Sequence, residues 1–366
     1  MKTFLLKLTI IIIIATAILG CKCNETRVDS DNNQINVGVI LPLTGELSSY
    51  GIDAKKALDL GKEMATQKIN LIYEDSKADP KTAVNAYNKL IRVNKVDFVI
   101  GDLLSNTSLA LAPIANSLKK LTVSPTASSH EINNYGLFSL SLYPSELIEG
   151  IAVARIAQEN NAKRIAVLYQ IVSSAESMAN SFKETILENI GCDCYIEGVD
   201  SKTMDYRNVI TKVKNYKPDA IFLITYPEVA IILLNQIKEN NIKALILGQT
   251  ALKDNNFLGK VKYVAEGMIL TGAYFSEERD DDSIRKFSDK FRNKYGQNPG
   301  MYAAQSYDAL NFCLQNYTKF NENQIINISE VEFDGITGKT RFDTNGAVIK
   351  DFSIFQVVNG SFKLIK

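Results

Sequence analysis

From residue 35 onward, short apolar runs alternate with stretches that carry apolar residues at helical spacing, and this alternation leaves few folds open. Ile35-Asn36-Val37-Gly38-Val39-Ile40-Leu41 alternates and then turns wholly apolar, as a strand buried on both faces does. Ala54, Ala57, Leu58, Gly61, Met64 and Ala65 follow at the repeat of one helix face. After a strand at 69–73, Asp79-Pro80 opens a helix with proline in its first turn. Further strands are predicted at 96–101, 121–124, 164–169, 194–199, 220–225 and 244–247, each separated from the next by a helix-length segment. The tail differs: helices at 282–295 and 302–320, a strand at 340–342, and a hairpin around Asn359-Gly360 within 352–364. The pattern predicts an α/β protein, a parallel sheet with helices on both faces. The strands are too many for one comfortable sheet, so two doubly wound lobes are expected. Ligands of such sheets bind beyond the carboxyl ends of the strands. The loops to inspect are therefore those after Leu41, Gly101, Ser124, Tyr169, Thr225 and Leu247.

Composition narrows the chemistry. A chain of 366 residues with 46% apolar and 22% charged side chains has material for two ordinary globular domains. Lys+Arg and Asp+Glu balance at 41 each, so no basic surface for nucleic acid is indicated. The single histidine, His130, excludes His-rich zinc sites and would have to serve alone in any Ser-His-Asp triad. No Gly-x-Ser-x-Gly elbow accompanies it, and it reads as a histidine at the surface or rim of a cleft. Asp280-Asp281-Asp282 lacks the glycine and terminal glutamate of a calcium loop and reads as a solvated helix start. Cys192, Cys194 and Cys313 read as small buried or half-buried thiols, since residues two apart on a strand bridge poorly. No catalytic residue, cofactor or metal is predicted.

The first 20 residues read as a signal peptide rather than as part of the fold. Lys2 and Lys7 precede an apolar run from Leu8 to Leu19 broken only by Thr9 and Thr16, too short to span a bilayer comfortably. The run ends in Ile18-Leu19-Gly20-Cys21, which resembles the bacterial lipobox and marks Cys21 for lipidation; Leu19 is bulkier than the commonest residue at its position. Removing Lys2 and Lys7 leaves 39 basic against 41 acidic residues, a mature charge of −2. Residues 21–34 are polar and aperiodic, a tether between lipid and fold.

Four segments carry a family resemblance in chain order: INVGVILPLTGELSSYG at 35–51, FVIGDLLSNTSLALA at 98–112, SPTASSHE at 124–131 and FDGITGKTRFDTNG at 333–346. Together they resemble the amino-acid-type periplasmic binding proteins of ABC importers, the family of the leucine/isoleucine/valine-binding proteins. The resemblance implies the type I periplasmic binding fold, two lobes joined by three crossovers with the ligand trapped between them. Lobe 1 would combine 35–142 with 272–347, and lobe 2 would combine 143–271 with 348–366.

It also implies site residues. Ser105, with Asn106 beside it, matches the serine that receives a ligand carboxylate; a hydroxyl at a helix start lies among unpaired N–H groups at the positive end of the dipole, and it is equally an N-cap. Thr126, Ala127 and Ser128 match a second carboxylate-binding loop, where ordinary turn chemistry is the plainer reading. Tyr50 and Tyr226 match aromatics of the cleft. Two positions depart from the family: Thr250 stands where an acidic residue pairs with the ligand's ammonium, and Ser174-Ala175 replaces a tyrosine-glycine pair. A buried ammonium without a carboxylate costs several kcal/mol. Glu146, aligned with a family acidic position, could supply the charge; Glu176 or Glu228 could swing in; or the ligand carries no ammonium. The expected function is capture: a monomeric, lipid-anchored extracytoplasmic receptor delivering a small solute to an ABC permease. A sensory or surface-interaction lipoprotein of the same fold is the alternative.

Overall fold

A computed structural model describes residues 34–320 and 327–366. The expected signal peptide, Cys21 and all of the tether but its last residue lie outside the described residues.

The first sheet is built in sequence order from β1 (Ile35–Leu41), β2 (Ile69–Asp75), β3 (Phe98–Ile100), β4 (Thr122–Ser124) and β5 (Ser139–Ser141). Its spatial order is β2-β1-β3-β4-β5 and every pairing is parallel. β1 lies inside this sheet, which is why its second half is apolar on both faces. The connecting helices α1 (Ser48–Met64), α2 (Pro80–Arg92) and α3 (Ser105–Ser117) cover the faces. α2 starts as its residues dictate: Asp79 accepts the Thr82 N–H at 2.7 Å and Pro80 occupies the first turn.

The second sheet gathers β6 (Arg164–Gln170), β7 (Asp193–Val199), β8 (Ala220–Ile224), β9 (Leu245–Gly248), β10 (Ile269–Gly272), β14 (Ser353–Val358) and β15 (Ser361–Leu364). Its order is β15-β14-β10-β9-β8-β6-β7. From β7 to β10 the pairings are parallel, but β14 and β15 add to the edge antiparallel, so this lobe is mixed at one side. Helices α4 (Glu146–Glu159), α5 (Ser173–Thr185), α6 (Arg207–Tyr216), α7 (Pro227–Glu239) and α8 (Asn255–Val261) accompany it. α9 (Asp282–Tyr295) and α10 (Met301–Asn316) then return to the first sheet, α10 packing along α1. A small antiparallel sheet of β11 (Phe333–Gly335), β12 (Gly338–Phe342) and β13 (Val348–Ile349) lies over the same core.

Among the described residues the chain passes between the two large sheets three times, at 142–145, 273–281 and 350–352. Sequence patterning missed β5, α8, β10, β11 and β13. β5 is Ser-Leu-Ser and β10 is Ile-Leu-Thr-Gly, too short and too polar to stand out, and each is buried by its neighbours rather than by its own pattern. Asp281 caps α9 by accepting the Ser283 and Ile284 N–H groups, and Cys192, Cys194 and Cys313 are free thiols.

Candidate functional site

The loops that leave the carboxyl ends of β1, β3 and β4 face those that leave β6, β8 and β9 across a cleft, where two adjoining cavities open. The outer cavity, ≈ 500 Å³, has apolar walls from Leu47, Leu103, Leu104 and Leu109. Its polar edge is the start of α3. Ser105 Oγ accepts the N–H groups of Ser128 and Ser129, both at 3.2 Å, which knits the β3 and β4 loops together. With its lone pairs so used, the Ser105 hydroxyl proton is left to donate outward.

The inner recess, ≈ 150 Å³, adjoins it and is lined by Tyr143, Glu146, Glu149, Gln170, Thr225 and Thr250, among others. Glu146 and Glu149 stand one turn apart on α4 and are only 2% and 4% exposed. Both Glu146 oxygens are engaged by His130: Oε2 accepts its N–H at 3.2 Å and Oε1 meets Nδ1 at 2.8 Å. Glu149 is held differently. Its Oε1 accepts the Thr250 N–H at 2.7 Å, the Thr250 hydroxyl at 2.8 Å and the Thr271 hydroxyl at 2.5 Å. Among the described residues its Oε2 takes no hydrogen bond, and Glu149 lines the recess. Burial pushes the Glu149 carboxyl above its ordinary value; the Thr271 and Thr250 bonds oppose this and the neighbouring Glu146 adds to it. Thr225 Oγ1, in the same recess, is buried with no hydrogen-bond partner among the described residues. Among the described residues neither cavity is lined by a lysine or arginine. Among the described residues no cluster of His, Cys, Asp or Glu suits a metal ion.

A cleft between two open α/β sheets, with its ligand-facing groups on strand-end loops, is built for enclosing a small molecule. A family model of periplasmic binding proteins matches residues 34–361. The chain belongs to that family.

The leucine-, isoleucine-, valine-, threonine- and alanine-binding protein of Pseudomonas aeruginosa is 26% identical to this periplasmic binding protein, over 93% of this chain and 94% of its own. The leucine-binding protein of Thermotoga maritima superposes with a TM-score of 0.78 at 24% identity, covering 91% of this chain and 98% of that one. A solute-binding protein of an ABC transporter from Rhodopseudomonas palustris, in complex with 3,4-dihydroxybenzoic acid, superposes at 0.75 with 21% identity, covering 90% and 95%. The fold is therefore the type I periplasmic binding fold expected from the sequence. As a family member the protein is extracytoplasmic, binds a small molecule and serves an ABC transporter. No helix among the described residues is long and apolar enough to cross a membrane.

The expected site residues fall into place unevenly. Ser105, Asn106 and Thr126 line the outer cavity, Thr250 the inner, and Ser128, Glu146, Ser174 and Tyr226 both. Thr126 donates its hydroxyl to the Leu103 carbonyl at 2.8 Å, and Asn106 Oδ1 accepts the Thr107 N–H at 2.9 Å, so both also brace the α3 start. Ala127 lines neither cavity; it is buried and its N–H is spent on Ser124 Oγ at 3.0 Å. Tyr50 also stands one layer back, stacked at 4.2 Å on Tyr302, which does line both cavities. Glu176 and Glu228 are exposed and line neither. His130 sits at the rim of the outer cavity, and the acid that orients it is Glu146. Sequence reasoning missed Glu149 and Tyr302. For Glu149 a signal existed: it falls three residues after Glu146, on the same face of the helix and just before the apolar run Ile151–Ala154.

Proposed function

We propose that this periplasmic binding protein is a lipid-anchored receptor that captures an amino acid, or a related small carboxylate or amide, between its lobes and presents it to an ABC permease. The lobes we assign are 35–142 with 272–347 and 143–271 with 348–366, and the receptor acts as a monomer. The observation that carries the reading is the α3 start: Ser105 and the Ser128–Ser129 turn form one donor-bearing edge beneath leucine walls. A carboxylate gains there from the hydroxyl and from the positive end of the helix dipole, while an apolar side chain meets Leu47, Leu103 and Leu109. The curated relative from Pseudomonas aeruginosa is named for five small amino acids, which agrees with that arrangement.

Ligand bridging both walls would stabilise the closed form that the permease reads. The test is titration calorimetry against amino acids, small carboxylates and amides: at least one binds, and failure of all three classes defeats the reading. For the anchor, labelling of the wild-type chain by a fatty-acid probe, lost in Cys21→Ala, is expected; equal labelling of the two rejects it.

A further inference from the structure

The outer cavity has a donor-bearing edge but no fixed cation. Among the described residues no lysine or arginine lines it, while Glu131 and Glu146 do, and Glu149 stands in the adjoining recess. Ser105 and the start of α3 offer a hydroxyl and part of a charge, which is little against three carboxylates. The side chain there that can carry a whole positive charge is His130.

His130 is placed for that use. It follows directly on Ser128 and Ser129, whose N–H groups Ser105 Oγ holds at 3.2 Å. Its Nδ1 meets Glu146 Oε1 at 2.8 Å, and its main-chain N–H goes to Oε2 of the same carboxylate at 3.2 Å. Two contacts to one buried group fix the ring. A carboxylate only accepts, so Nδ1 carries the proton of that contact and a second proton can go only to Nε2. Among the described residues Nε2 takes no hydrogen bond; the side chain is 37% exposed against 3% for Glu146. An anion at the Ser105 edge therefore meets a repelling lone pair when the ring is neutral and a donating N–H when it is charged. Glu146 and Glu149 of α4, Glu131 at the next position, and Tyr226 and Tyr302 at the starts of α7 and α10 are the titratable groups around the ring. α3 and β5, which pack against residues 130–135, carry none. The carboxylates favour the charged ring with or without ligand; an anion in the cavity adds to them only on binding.

We propose that His130 is a ligand contact: its Nε2–H donates to the anionic group at the Ser105 edge, and the proton on that nitrogen is taken up from solvent as the anion binds. Glu146 positions the ring through Nδ1. Affinity for a carboxylate thus falls as pH rises through the range in which an imidazole loses its charge, about pH 5 to 8, whereas affinity for an amide changes little. This rests on the reading of the cleft as a solute site, and the experiment separates the two.

Wild-type protein is titrated calorimetrically with leucine, isovalerate and benzoate, and with isovaleramide and benzamide, from about pH 6 to about pH 8.5 in buffers of different ionisation enthalpy, which counts the protons taken up. A carboxylate that binds is expected to take up a fraction of a proton per site and to bind about tenfold more weakly at the upper end of the range. His130→Asn, whose amide nitrogen can keep the bond to Glu146 but cannot become charged, should lose both the uptake and the pH dependence. It should bind the carboxylate about tenfold more weakly at the acid end. Uptake that persists in this variant would belong to Glu146 or Glu149 and would overturn the proposal. If a carboxylate binds without uptake, or only amides bind, His130 has no such role while the solute receptor stands. If none of the five binds, both fail. Because the chain has one histidine, its ring resonance reports this imidazole alone. Should His130→Asn not fold, the wild-type ring decides: its titration midpoint moves up when the carboxylate binds, and an unmoved midpoint overturns the proposal.

Discussion

Lys350 and Asp308 meet through one hydroxyl. The Lys350 ammonium donates to Thr337 Oγ1 at 2.6 Å, and that hydroxyl donates to Asp308, which also accepts the Ile336 and Thr337 N–H groups. All three side chains are buried, and Lys350 also reaches toward the Leu142 carbonyl at 3.4 Å. The unit thus touches the first and third passages between the sheets. Burial pushes Lys350 down to about 8, opposed by the charge of Asp308, and pushes Asp308 up, opposed by Lys350. Each charge is tolerated because of the other.

Lys350→Met strands a buried carboxylate, and a loss of about 3–5 kcal/mol in urea denaturation is expected. Combining it with Asp308→Asn removes both charges and should recover most of that loss. A double variant whose loss equals the sum of the two singles would show that the charges do not depend on each other.

Glu149 gives stability a pH signature. Its carboxyl is raised above the ordinary 4.5 by burial, so the unfolded chain loses the proton first and folding takes one up in the window between. The associated stability is complete below 4.5 and is lost as pH rises through the folded value. Glu149→Gln cannot ionise. Its melting temperature without ligand, relative to wild type, should therefore climb from pH 4.5 toward neutrality; a flat or falling difference would contradict the burial argument.

Gly51 faces a fixed neighbour. A Cβ there would stand 2.1 Å from the Pro42 carbonyl oxygen, backbone of the loop that leaves β1. Neither the helix α1 nor that loop can yield cheaply, so Gly51→Ala should destabilise by about 1–3 kcal/mol by thermal or chemical unfolding. Wild-type stability would mean that the two segments part easily.

Ser105→Ala removes the hydroxyl that both ties Ser128 and Ser129 and faces the cleft. For a carboxylate-bearing ligand, calorimetry should show a loss of about 1–3 kcal/mol, the worth of a hydrogen bond to a charge. Unchanged affinity would remove Ser105 from the site.

Legibility in the sequence followed how local each cause was. β1 could be read from its own seven residues, and α2 from Asp79-Pro80, because the strand pattern and the cap are written where they act. β5 could not. Ser141 is buried because its hydroxyl finds the Ala127 carbonyl at 2.6 Å, a partner no periodicity reveals. The site divides the same way. The strand-end loops and Ser105 announced themselves, whereas the role of Glu149 is set by Thr250 and Thr271, 101 and 122 residues further along. Thr250 bonds a carboxylate from another helix, a partner that the residues around 250 do not reveal.

The second sheet has a strand order that bears on synthesis. β14 sits between β10 and β15, and Phe355 and Val357 fill a core otherwise made of residues 166–270. The first sheet waits in the same way for Phe312, Phe333 and Phe342. Neither core can close on a nascent chain until its far end has left the ribosome, and contacts this distant in sequence form slowly. For an extracytoplasmic protein such a delay favours crossing the membrane as an unfolded chain that completes its cores on the far side.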